Sequence, residues 1–439
     1  MAAATAYKVG KLIDGTGGPV IDNGVVVIED GRIVSAGPET DVAIPNGAEI
    51  VEEPALTAMP GMMALHLHIG QFNSLTFRNY RVSQWEITPE LQQLYMLFHA
   101  QLCFERGFTT LRDEGLMSTR GLMTEHTVAV RDSIDLGIFP GPRLIVAAFT
   151  VGTGSHLDLI MPRAALRNPK ATADGPDEMR KLARENLLKG ADWLKTCASG
   201  GGGTDKESPH VRNHTQEELD AVCDEAHAQH TYCSIHCFTP QAQEMALKAG
   251  ADTIEHMVFH SEEMLEKIVG SGTPVCPTLL HRTDHAIEVR SRTGTPQFTL
   301  DKMKRIQPFC YETFQAMHKA GVKIFMGTDM GPEPDMGTNA LELEVYVQLG
   351  MTPMEAILTA TKNAAEAVHL GDELGTLEAG KKADMLLVNG NPAEDIKVLQ
   401  PRENIMAVMK DGKIFVDRRK GHEKDVINVE YKSWALADG

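Results

Sequence analysis

The stretch Met59-Pro60-Gly61-Met62-Met63-Ala64-Leu65-His66-Leu67-His68 is an apolar run that ends in two histidines spaced His-x-His. On a β-strand, side chains two residues apart project from the same face, so both imidazoles can reach one metal ion. Imidazole is the commonest protein ligand for zinc and its neighbours in the transition series. The alternative is a strand that merely carries two histidines on its polar side. Four further candidate ligands, each at the end of its own apolar run, favour the metal interpretation.

The first of these candidates is Lys195, in the run Asp192-Trp193-Leu194-Lys195-Thr196-Cys197. A buried lysine at the end of a strand is unfavourable unless it is paired or modified. Its ammonium form cannot bind a metal, whereas carboxylation by CO2 would convert it into an anionic carbamate that can bridge two cations. An ion-paired structural lysine is the alternative, and the spacing alone favours neither. The glycine run 200–203 that follows would let backbone or substrate approach closely.

Three more candidates end apolar runs elsewhere in the chain, namely His236, His256 and Asp329. A lone histidine at such a place is more often a hydrogen-bonded core residue. Two of them on adjacent strands, in a chain that already offers His-x-His, favour metal ligation. Asp329, in Gly327-Thr328-Asp329, is either a cap of the loop after its strand or a ligand that also takes a proton from bound water.

Together the candidates offer nitrogen and oxygen ligands without a thiolate, a set that suits two zinc-like ions. They are His66, His68, Lys195, His236, His256 and Asp329. Two ions a few ångströms apart can lower the pKa of a bridging water toward neutrality, and one of them can polarise a carbonyl oxygen. We therefore expect two divalent ions (zinc, with cobalt, manganese and iron as alternatives) and hydrolytic chemistry.

Two further histidines follow strand ends and are candidates for catalysis or for contact with a substrate. His156 lies in Gly152-Thr153-Gly154-Ser155-His156, and His281 follows the apolar run at 274–278. Aromatic residues provide a second set of candidates, for an apolar pocket or equally for core packing. They are Phe72, Phe77, Tyr80, Trp85 and Phe149.

The middle of the chain alternates apolar runs with helical segments, which is typical of a parallel α/β domain. The predicted strands are 64–68, 108–112, 143–147, 193–197, 232–236, 253–256, 274–278 and 323–327. Between them we expect helices at 88–105, 178–189, 217–230, 240–248, 262–269 and 302–320. This alternation predicts a (β/α)8 TIM-like barrel, in which catalytic groups lie at the carboxyl ends of the strands.

Both ends of the chain have the pattern of β-structure. Short apolar runs at 25–28 and 32–34 are separated by turn signals such as Asp30-Gly31, and the same pattern returns from about residue 375 onward. We expect the two termini to meet in one small β-sandwich domain. The predicted division is 1–59 for the N-terminal part of the sandwich, 60–371 for the barrel and 372–439 for the C-terminal part.

The composition is that of a soluble globular protein, with 42% hydrophobic and 23% charged residues among 439. The net charge of −18, without a Lys/Arg block, argues against nucleic-acid binding, which needs a basic footprint. The seven cysteines form no Cys-x-x-Cys pair, so neither a disulfide framework nor a thiolate zinc site is indicated. Neither a signal peptide nor a membrane-length apolar run is evident. We expect a cytoplasmic homo-oligomer that acts on a small molecule.

Taken in order along the chain, these motifs resemble the metal-dependent amidohydrolase superfamily over nearly the whole length. The shared motifs are Pro-Gly-x-x-x-x-His-x-His at 60–68, Lys195, His236, His256, Gly-Thr-Asp at 327–329, and tail motifs at 361–365, 375–384 and 411–413. Each motif alone is modest, but the combination is highly specific. The resemblance implies a distorted barrel with a β-sandwich built from both termini.

The resemblance also implies roles for the ligand candidates by matching position. One metal would be held by His66, His68 and Asp329, and the other by His236 and His256. Carboxylated Lys195 would bridge the two ions, and Asp329 would act as general base and then as general acid. Ala64 departs from the pattern, because the family often has Asp just before His-x-His. That departure affects the support of the ligands rather than ligation itself.

Within the superfamily, the likeness is to the imidazolonepropionase-related group, which includes prolidase-like dipeptidases, ochratoxin-type amidases, and phenylurea and thiocarbamate (molinate) hydrolases. Peptidase-like members often read His-Ala-Tyr-Thr-Pro-Arg at the fifth strand, where Tyr and Arg hold the substrate's free carboxylate. Here the same place reads His236-Cys237-Phe238-Thr239-Pro240-Gln241. Both carboxylate-binding groups are missing, so a neutral substrate fits this site better.

We therefore expect a hydrolase of a C–N bond in a neutral amide, urea or (thio)carbamate, such as an N-aryl urea, with Phe238 and Gln241 in contact with the substrate. The alternative is an Xaa-Pro or Xaa-Arg type dipeptidase or an N-acyl-amino-acid (ochratoxin-type) amidase. A non-catalytic scaffold of the same fold is a third class. It is disfavoured because all six ligand positions are present.

Overall fold

The computed structural model describes residues 4–71, 87–118, 121–159, 172–202, 207–292, 294–330 and 336–427. Its strands are β1 (Thr5–Leu12), β2 (Ile21–Glu29), β3 (Arg32–Pro38), β4 (Glu49–Pro60), β5 (Met62–Leu67), β6 (Phe108–Asp113), β7 (Met117–Ser118), β8 (Gly121–Leu122), β9 (Arg143–Phe149), β10 (Trp193–Cys197), β11 (Tyr232–Cys237), β12 (Thr253–His256), β13 (Val275–Cys276), β14 (Met385–Asn389), β15 (Ile405–Lys410) and β16 (Lys413–Asp417). Its α-helices are α1 (Pro89–Glu105), α2 (Thr124–Asp135), α3 (His156–Leu159), α4 (Pro176–Leu188), α5 (Gln216–Ala228), α6 (Pro240–Ala249), α7 (Glu262–Ser271), α8 (Asp284–Arg292), α9 (Gln297–Ala320), α10 (Leu341–Gln348), α11 (Pro353–Thr359) and α12 (Lys362–Ala367). Short 3-10 turns occur at Leu280–Arg282, Ile396–Leu399 and Arg402–Asn404.

Seven parallel strands form a nearly closed barrel in the order β13-β12-β11-β10-β9-β6-β5. Every residue of β5, β6, β10 and β12 is buried. Such continuous burial is expected of parallel strands that are covered on both faces. Helices follow the strands along the chain, so the predicted (β/α)8 barrel is confirmed.

The eighth predicted strand, 323–327, closes the ring without forming a regular ladder. Ile324 makes an isolated parallel bridge to Val275 in β13, and the N–H of Leu65 in β5 donates to the carbonyl oxygen of Met326 at 3.0 Å. The N–H of Met326 donates instead to the carbonyl oxygen of Thr359, at the end of α11. Because that donor is used outside the sheet, the segment has no continuous strand pairing.

Local signals in the sequence fix where several helices begin and end. Thr215 and Glu218 form a reciprocal capping box at the start of α5. Thr239 caps α6, which ends at Gly250 in the left-handed conformation that glycine adopts without strain. Among the helices of the described residues, none combines the length and the apolar character needed to cross a membrane.

A second seven-stranded sheet combines both ends of the chain in the order β16-β15-β14-β4-β1-β2-β3. Strand β14 pairs antiparallel with β4, with Leu387 opposite Ala58. Both residues belong to one buried cluster with Leu12 and Met409, which draws on the two termini. The prediction that the termini meet in one β-structure is therefore confirmed. The exact division at 59/60 and 371/372 stays a prediction.

Strand β4 of the terminal sheet leads directly into β5 of the barrel through Gly61. A Cβ at this position would collide with the side chain of Thr109 in β6, so the tight passage between the two sheets requires glycine. The N–H of Gly61 donates to the carbonyl oxygen of Asp384, just before β14. This junction anchors the strand that carries His66 against the terminal sheet.

Candidate metal centre

The six predicted metal ligands lie together in one cavity at the carboxyl ends of the barrel strands. The candidates lie at or near the carboxyl ends of their strands, with Lys195 in the middle of its short strand, as expected for side chains that converge at one end of a parallel barrel. The residues and their strands are His66 and His68 (β5), Lys195 (β10), His236 (β11), His256 (β12) and Asp329 (the closing segment).

His66, His68 and Asp329 form the tighter half of the site. Oδ1 of Asp329 lies 3.7 Å from Nε2 of His66 and 3.3 Å from Nε2 of His68. The ligand atoms of the three residues all lie within 4.8 Å of one another, which is close enough to surround one ion. Two imidazole nitrogens and a carboxylate oxygen are donors that suit zinc.

Hydrogen bonds fix which nitrogen each of these histidines offers. Nδ1 of His66 lies 2.6 Å from Oε2 of Glu255, and Nδ1 of His68 lies 2.7 Å from the carbonyl oxygen of Gly115. Both partners accept hydrogen bonds, so each Nδ1 carries the proton and each Nε2 remains as the ligand atom. A metal-binding histidine is usually oriented in this way through its other nitrogen.

The backbone around Asp329 is held in an unusual conformation. Its φ of +55° lies in the left-handed region, which non-glycine residues rarely adopt. The N–H groups of Thr328 and Asp329 both donate to the carbonyl oxygen of His66, at 2.9 and 2.8 Å. These two bonds tie the Asp329 carboxylate to the strand that supplies the histidines.

His236 and His256 form the other half of the site. Their ring centroids are 4.5 Å apart, and His256 lies 4.7 Å from His66 by the same measure. Nδ1 of His256 is within 2.7 Å of the Thr278 hydroxyl, which leaves Nε2 as its ligand atom. The two halves of the site are therefore contiguous and share one wall of imidazole rings.

The protonation states of His236 and His256 favour metal binding. Burial lowers the pKa of His236 well below its usual value, and the positive charges of His156 and Lys195 lower it further. Burial, followed by the neighbouring His236 and His66, lowers the pKa of His256 in the same way. Neutral imidazole is the form that coordinates a metal, so both side chains are ready to bind near neutral pH.

Lys195 is buried beside Glu114, with 2.8 Å between its Nζ and Oε2 of the carboxylate. The approach is not aligned as a hydrogen bond, and no described residue accepts one from this Nζ. The pairing matches the ion-pair alternative for Lys195, while its place in the cavity between the histidines matches the bridging one. Both forms of the lysine therefore fit this position.

A buried ionic network beneath the site was missed by reasoning from the sequence. Nε of Arg112 lies 2.6 Å from Oε1 of Glu114, and its Nη2 lies 2.7 Å from Oε1 of Glu255. All three side chains are fully buried, and the guanidinium stacks on the ring of Trp193 at 4.7 Å. The signal was available as charged residues inside the apolar runs 108–114 and 253–256.

The two weaker histidine candidates also line the cavity. The ring of His156 stacks on His236 with 4.3 Å between centroids, and its Nδ1 contacts the carboxylate of Glu207. Nε2 of His281 lies 3.9 Å from Oδ2 of Asp329. Both histidines are thus close enough to meet a substrate bound near Asp329.

The candidate substrate residues lie in different surroundings. The ring of Phe238 lines the cavity and stacks on His236 at 4.5 Å. Gln241 is exposed on the first turn of α6 and is not among the described residues that line the cavity. Phe149 packs 6.1 Å from the ring of His68. The other aromatic candidates, Phe72, Phe77, Tyr80 and Trp85, lie outside the described residues.

Two arginines complete the wall of the cavity and were not predicted. Arg282 belongs to the 3-10 turn after β13, and Arg290 belongs to α8. Nη1 of Arg290 donates to Nε2 of His281 at 3.0 Å. Cations that bind a substrate carboxylate were expected only at the fifth strand, whereas these arginines follow the seventh.

The sequence profile described as "Amidohydrolase family" matches residues 57–415, a range that contains all six ligand candidates. The chain belongs to the amidohydrolase family. A hydrolase that acts on carbon–nitrogen bonds follows from this membership and from the hydrolases among its relatives.

Two curated relatives align with most of this amidohydrolase. Ochratoxinase of Aspergillus niger is 29% identical over 94% of this chain and 87% of its own length. Imidazolonepropionase of Sphingopyxis alaskensis is 27% identical over 85% of this chain and 89% of its own length. The predicted likeness to the imidazolonepropionase-related and ochratoxin-type enzymes is confirmed.

Solved structures share the fold of this amidohydrolase. A Xaa-Pro dipeptidase with bound methionine in the active site has 31% identity and a TM-score of 0.83, over 94% of this chain and all of that chain. Molinate hydrolase is similar in fold at 20% identity, with a TM-score of 0.75 over 98% of this chain and 98% of its own. Phenylurea hydrolase B is similar in fold at 22% identity, with a TM-score of 0.74 over 95% of this chain and 97% of its own.

Proposed function

We propose that this amidohydrolase cleaves an amide-type C–N bond at a centre of two divalent metal ions. The observation that carries the proposal is that four strands and the closing segment bring six side chains into one cavity, five of them with a donor atom suited to zinc and the sixth the lysine that carboxylation would convert into one. When bound, the ions would supply an acidified water and a polarised carbonyl. The chain's own residues hold the ions, carry the proton and orient the substrate.

Asp329 is the group that carries the proton. Burial alone would raise the pKa of its carboxyl, but the neighbouring His281 and the hydrogen bond with His68 hold it well below its usual value. The side chain is therefore ionised and able to accept a proton from the attacking water. Its Oδ2 faces His281 and its Oδ1 faces His68, so it can pass the proton to a leaving nitrogen in the same cavity.

The two-metal proposal requires Lys195 in its carboxylated form. It would replace a positive charge by a negative one directly beside Glu114, with Arg112 as the remaining cation of the buried network. Such a cluster of anions is stable only when cations offset it, because uncompensated buried charge is costly. We infer that the carbamate forms together with metal binding.

Two classes of substrate are supported by the cavity. The ring of Phe238, which lines the cavity beside His236, supports a neutral amide, urea or thiocarbamate with an aryl or alkyl group. The buried guanidinium groups of Arg282 and Arg290 support a substrate with a carboxylate, such as a dipeptide or an N-acyl amino acid. A relative with methionine bound in its active site adds support for the second class.

The experiment is a substrate screen on protein reconstituted with zinc, cobalt or manganese, with release of the amine or amino acid as readout. We expect turnover only with metal present, and loss of turnover when a chelator removes it. Hydrolysis at the same rate by the fully metal-free protein would overturn the proposal. An Asp329→Asn protein that retains metal but has lost turnover would separate proton transfer from ligation.

A further inference from the structure

Two buried guanidinium groups, those of Arg282 and Arg290, line the cavity that holds the ligand candidates. Arg282 is only 6% exposed and Arg290 only 3%. Each guanidinium group brings a planar set of N–H donors to the wall of the cavity. The two residues come from different elements, the turn after β13 and helix α8, and converge on one wall.

The position of Arg290 relative to the predicted proton carrier is fixed by one histidine. Nη1 of Arg290 lies 3.0 Å from Nε2 of His281, which in turn lies 3.9 Å from Oδ2 of Asp329. The sum of these two distances, 6.9 Å, is the largest possible separation between the guanidinium nitrogen and that carboxylate oxygen. Arg290 is therefore next to the place where a bond would be cleaved, not at a distant edge.

Arg282 faces the same space from the side of the second pair of histidines. Its guanidinium carbon lies 5.6 Å from the centroid of the Phe238 ring, within the range of a cation–π contact. Phe238 in turn stacks on His236. Phe238, which directly follows β11, therefore supports Arg282. In this way Arg282 can replace the carboxylate-binding Tyr and Arg that the fifth strand lacks in this chain.

We propose that Arg290, assisted by Arg282, binds the carboxylate of an amino-acid leaving group, so that the substrates are N-acyl α-amino acids or dipeptides. This inference rests on the proposed function and names its substrate class. The planar guanidinium fork matches both oxygens of a carboxylate, which makes arginine the usual partner for such a group. The assignment replaces the neutral substrate expected from Phe238 and Gln241.

The distances suit an α-amino acid. Its carboxylate carbon is two bonds from the scissile nitrogen, a span of about 2.5 Å from standard bond lengths. A scissile amide held beside Asp329 therefore brings the carboxylate within reach of a guanidinium no more than 6.9 Å away. Apolar lining from Leu157, Phe238 and Met303 leaves room for an aliphatic or aromatic side chain or acyl group.

The test measures binding as well as turnover on the zinc-loaded protein. The binding probes are L-methionine and L-methioninol, which differ in whether a carboxylate is present, and their affinities are measured by calorimetry. The turnover probes are N-acetyl-L-methionine and its methyl ester, with acetate release as readout. We expect the carboxylate member of each pair to be preferred at least tenfold by the wild type.

Two variants decide whether Arg290 causes that preference. Arg290→Gln should remove most of it, and Arg290→Lys should keep part because the charge remains. Arg292→Gln is the matched control, since Arg292 lies on the same helix with 62% of its side chain exposed and should leave the preference unchanged. Thermal melting of each variant confirms that it is folded.

The outcomes separate this inference from the proposed function. The carboxylate assignment would be overturned if the wild type bound methionine and methioninol equally, or did not bind methionine at all. It would also be overturned if both Arg290→Gln and Arg282→Gln kept the wild-type preference. If methionine binding depends on Arg290 but neither acetylated probe nor any dipeptide is hydrolysed, the subsite stands and the proposed hydrolysis fails.

Discussion

Oε2 of Glu255 lies 2.6 Å from Nδ1 of His66, a contact that joins strands β12 and β5 across the interior of the barrel. The same carboxylate accepts from Arg112 at 2.7 Å through its other oxygen. Glu255 therefore orients a candidate metal ligand and is itself held by a buried cation. Its neighbour in sequence, His256, is a candidate ligand of the second ion, so one strand supports both halves of the site.

Glu255→Gln should weaken metal binding by about 10- to 100-fold, the usual effect of removing a partner that orients a ligating histidine. The amide can no longer accept as strongly from Nδ1 of His66, so the orientation and basicity of that ligand both suffer. Titration against a competing chelator measures the change. Glu262→Gln, at an exposed position on α7, is the control. Equal affinities in the two variants would contradict the role of Glu255.

Arg112→Met should destabilise the fold by about 3–5 kcal/mol, because it leaves Glu114 and Glu255 as buried carboxylates without their cation. Urea-induced unfolding provides the measurement. The control is Arg184→Met, whose side chain is 65% exposed and whose partner Glu225 also pairs with Arg180, so only a small change in stability is expected. A cost at Arg112 no larger than that of the control would show that the network is dispensable.

Lys195→Ala should abolish the second metal ion while leaving the fold intact, if the carbamate bridges both ions. For the wild type, the metal content should rise from about one ion to two when bicarbonate is present during loading, since CO2 supplies the bridging group. Elemental analysis of both proteins, loaded with and without bicarbonate, gives the answer. Two ions per chain in Lys195→Ala would rule out the bridge.

Burial raises the pKa of Glu342 to about 7, although the N–H groups of Leu279 and Leu280 donate to its carboxylate and counteract part of the rise. The unfolded chain releases this proton near pH 4.5, so between about pH 5 and 7 the native state binds more protons than the unfolded state. The free energy of unfolding should therefore fall as the pH rises through this window.

Glu342→Gln removes the titration, so between pH 5 and 8 the wild type should lose about 2–3 kcal/mol more stability than the variant. Denaturant unfolding at several pH values measures both curves. Glu263→Gln, with 75% of its side chain exposed, should follow the wild-type curve. Parallel curves for wild type and Glu342→Gln would show that this carboxyl does not control the pH dependence.

That the six ligand candidates lie in one cavity could be predicted from the sequence, because each candidate lies at or near the end of an apolar run and parallel strands gather their ends at one edge. The irregular pairing of the eighth strand could not be predicted, since the N–H of Met326 donates to the carbonyl oxygen of Thr359, a residue far along the chain. Gln241 was chosen by its place in a motif, but the first turn of α6 leaves its side chain exposed.

The cations of the cavity escaped prediction for a different reason. Arg282 and Arg290 follow the seventh strand in a segment rich in polar residues, where the local sequence gives no sign of burial. Only the tertiary fold brings that segment over the cavity and buries both side chains. The charged residues of the buried Arg112 network lie inside apolar runs, but which of them pair depends on where β6 and β12 place their side chains inside the barrel.

Asp329→Asn should slow turnover by about 10²- to 10⁴-fold, the range typical of general acid–base catalysis. The asparagine amide keeps an oxygen that can face His68 but cannot accept and return a proton. Because Asp329 is also a ligand candidate, metal content must be measured on the same samples, and the rate compared at equal occupancy. His68→Asn is the informative partner, since it removes a ligand without touching the proton carrier and should recover activity at high metal concentration. Near wild-type turnover in fully loaded Asp329→Asn protein would show that another group moves the proton, for which His281 is the candidate because its Nε2 lies 3.9 Å from Oδ2 of Asp329 and it is not a ligand candidate.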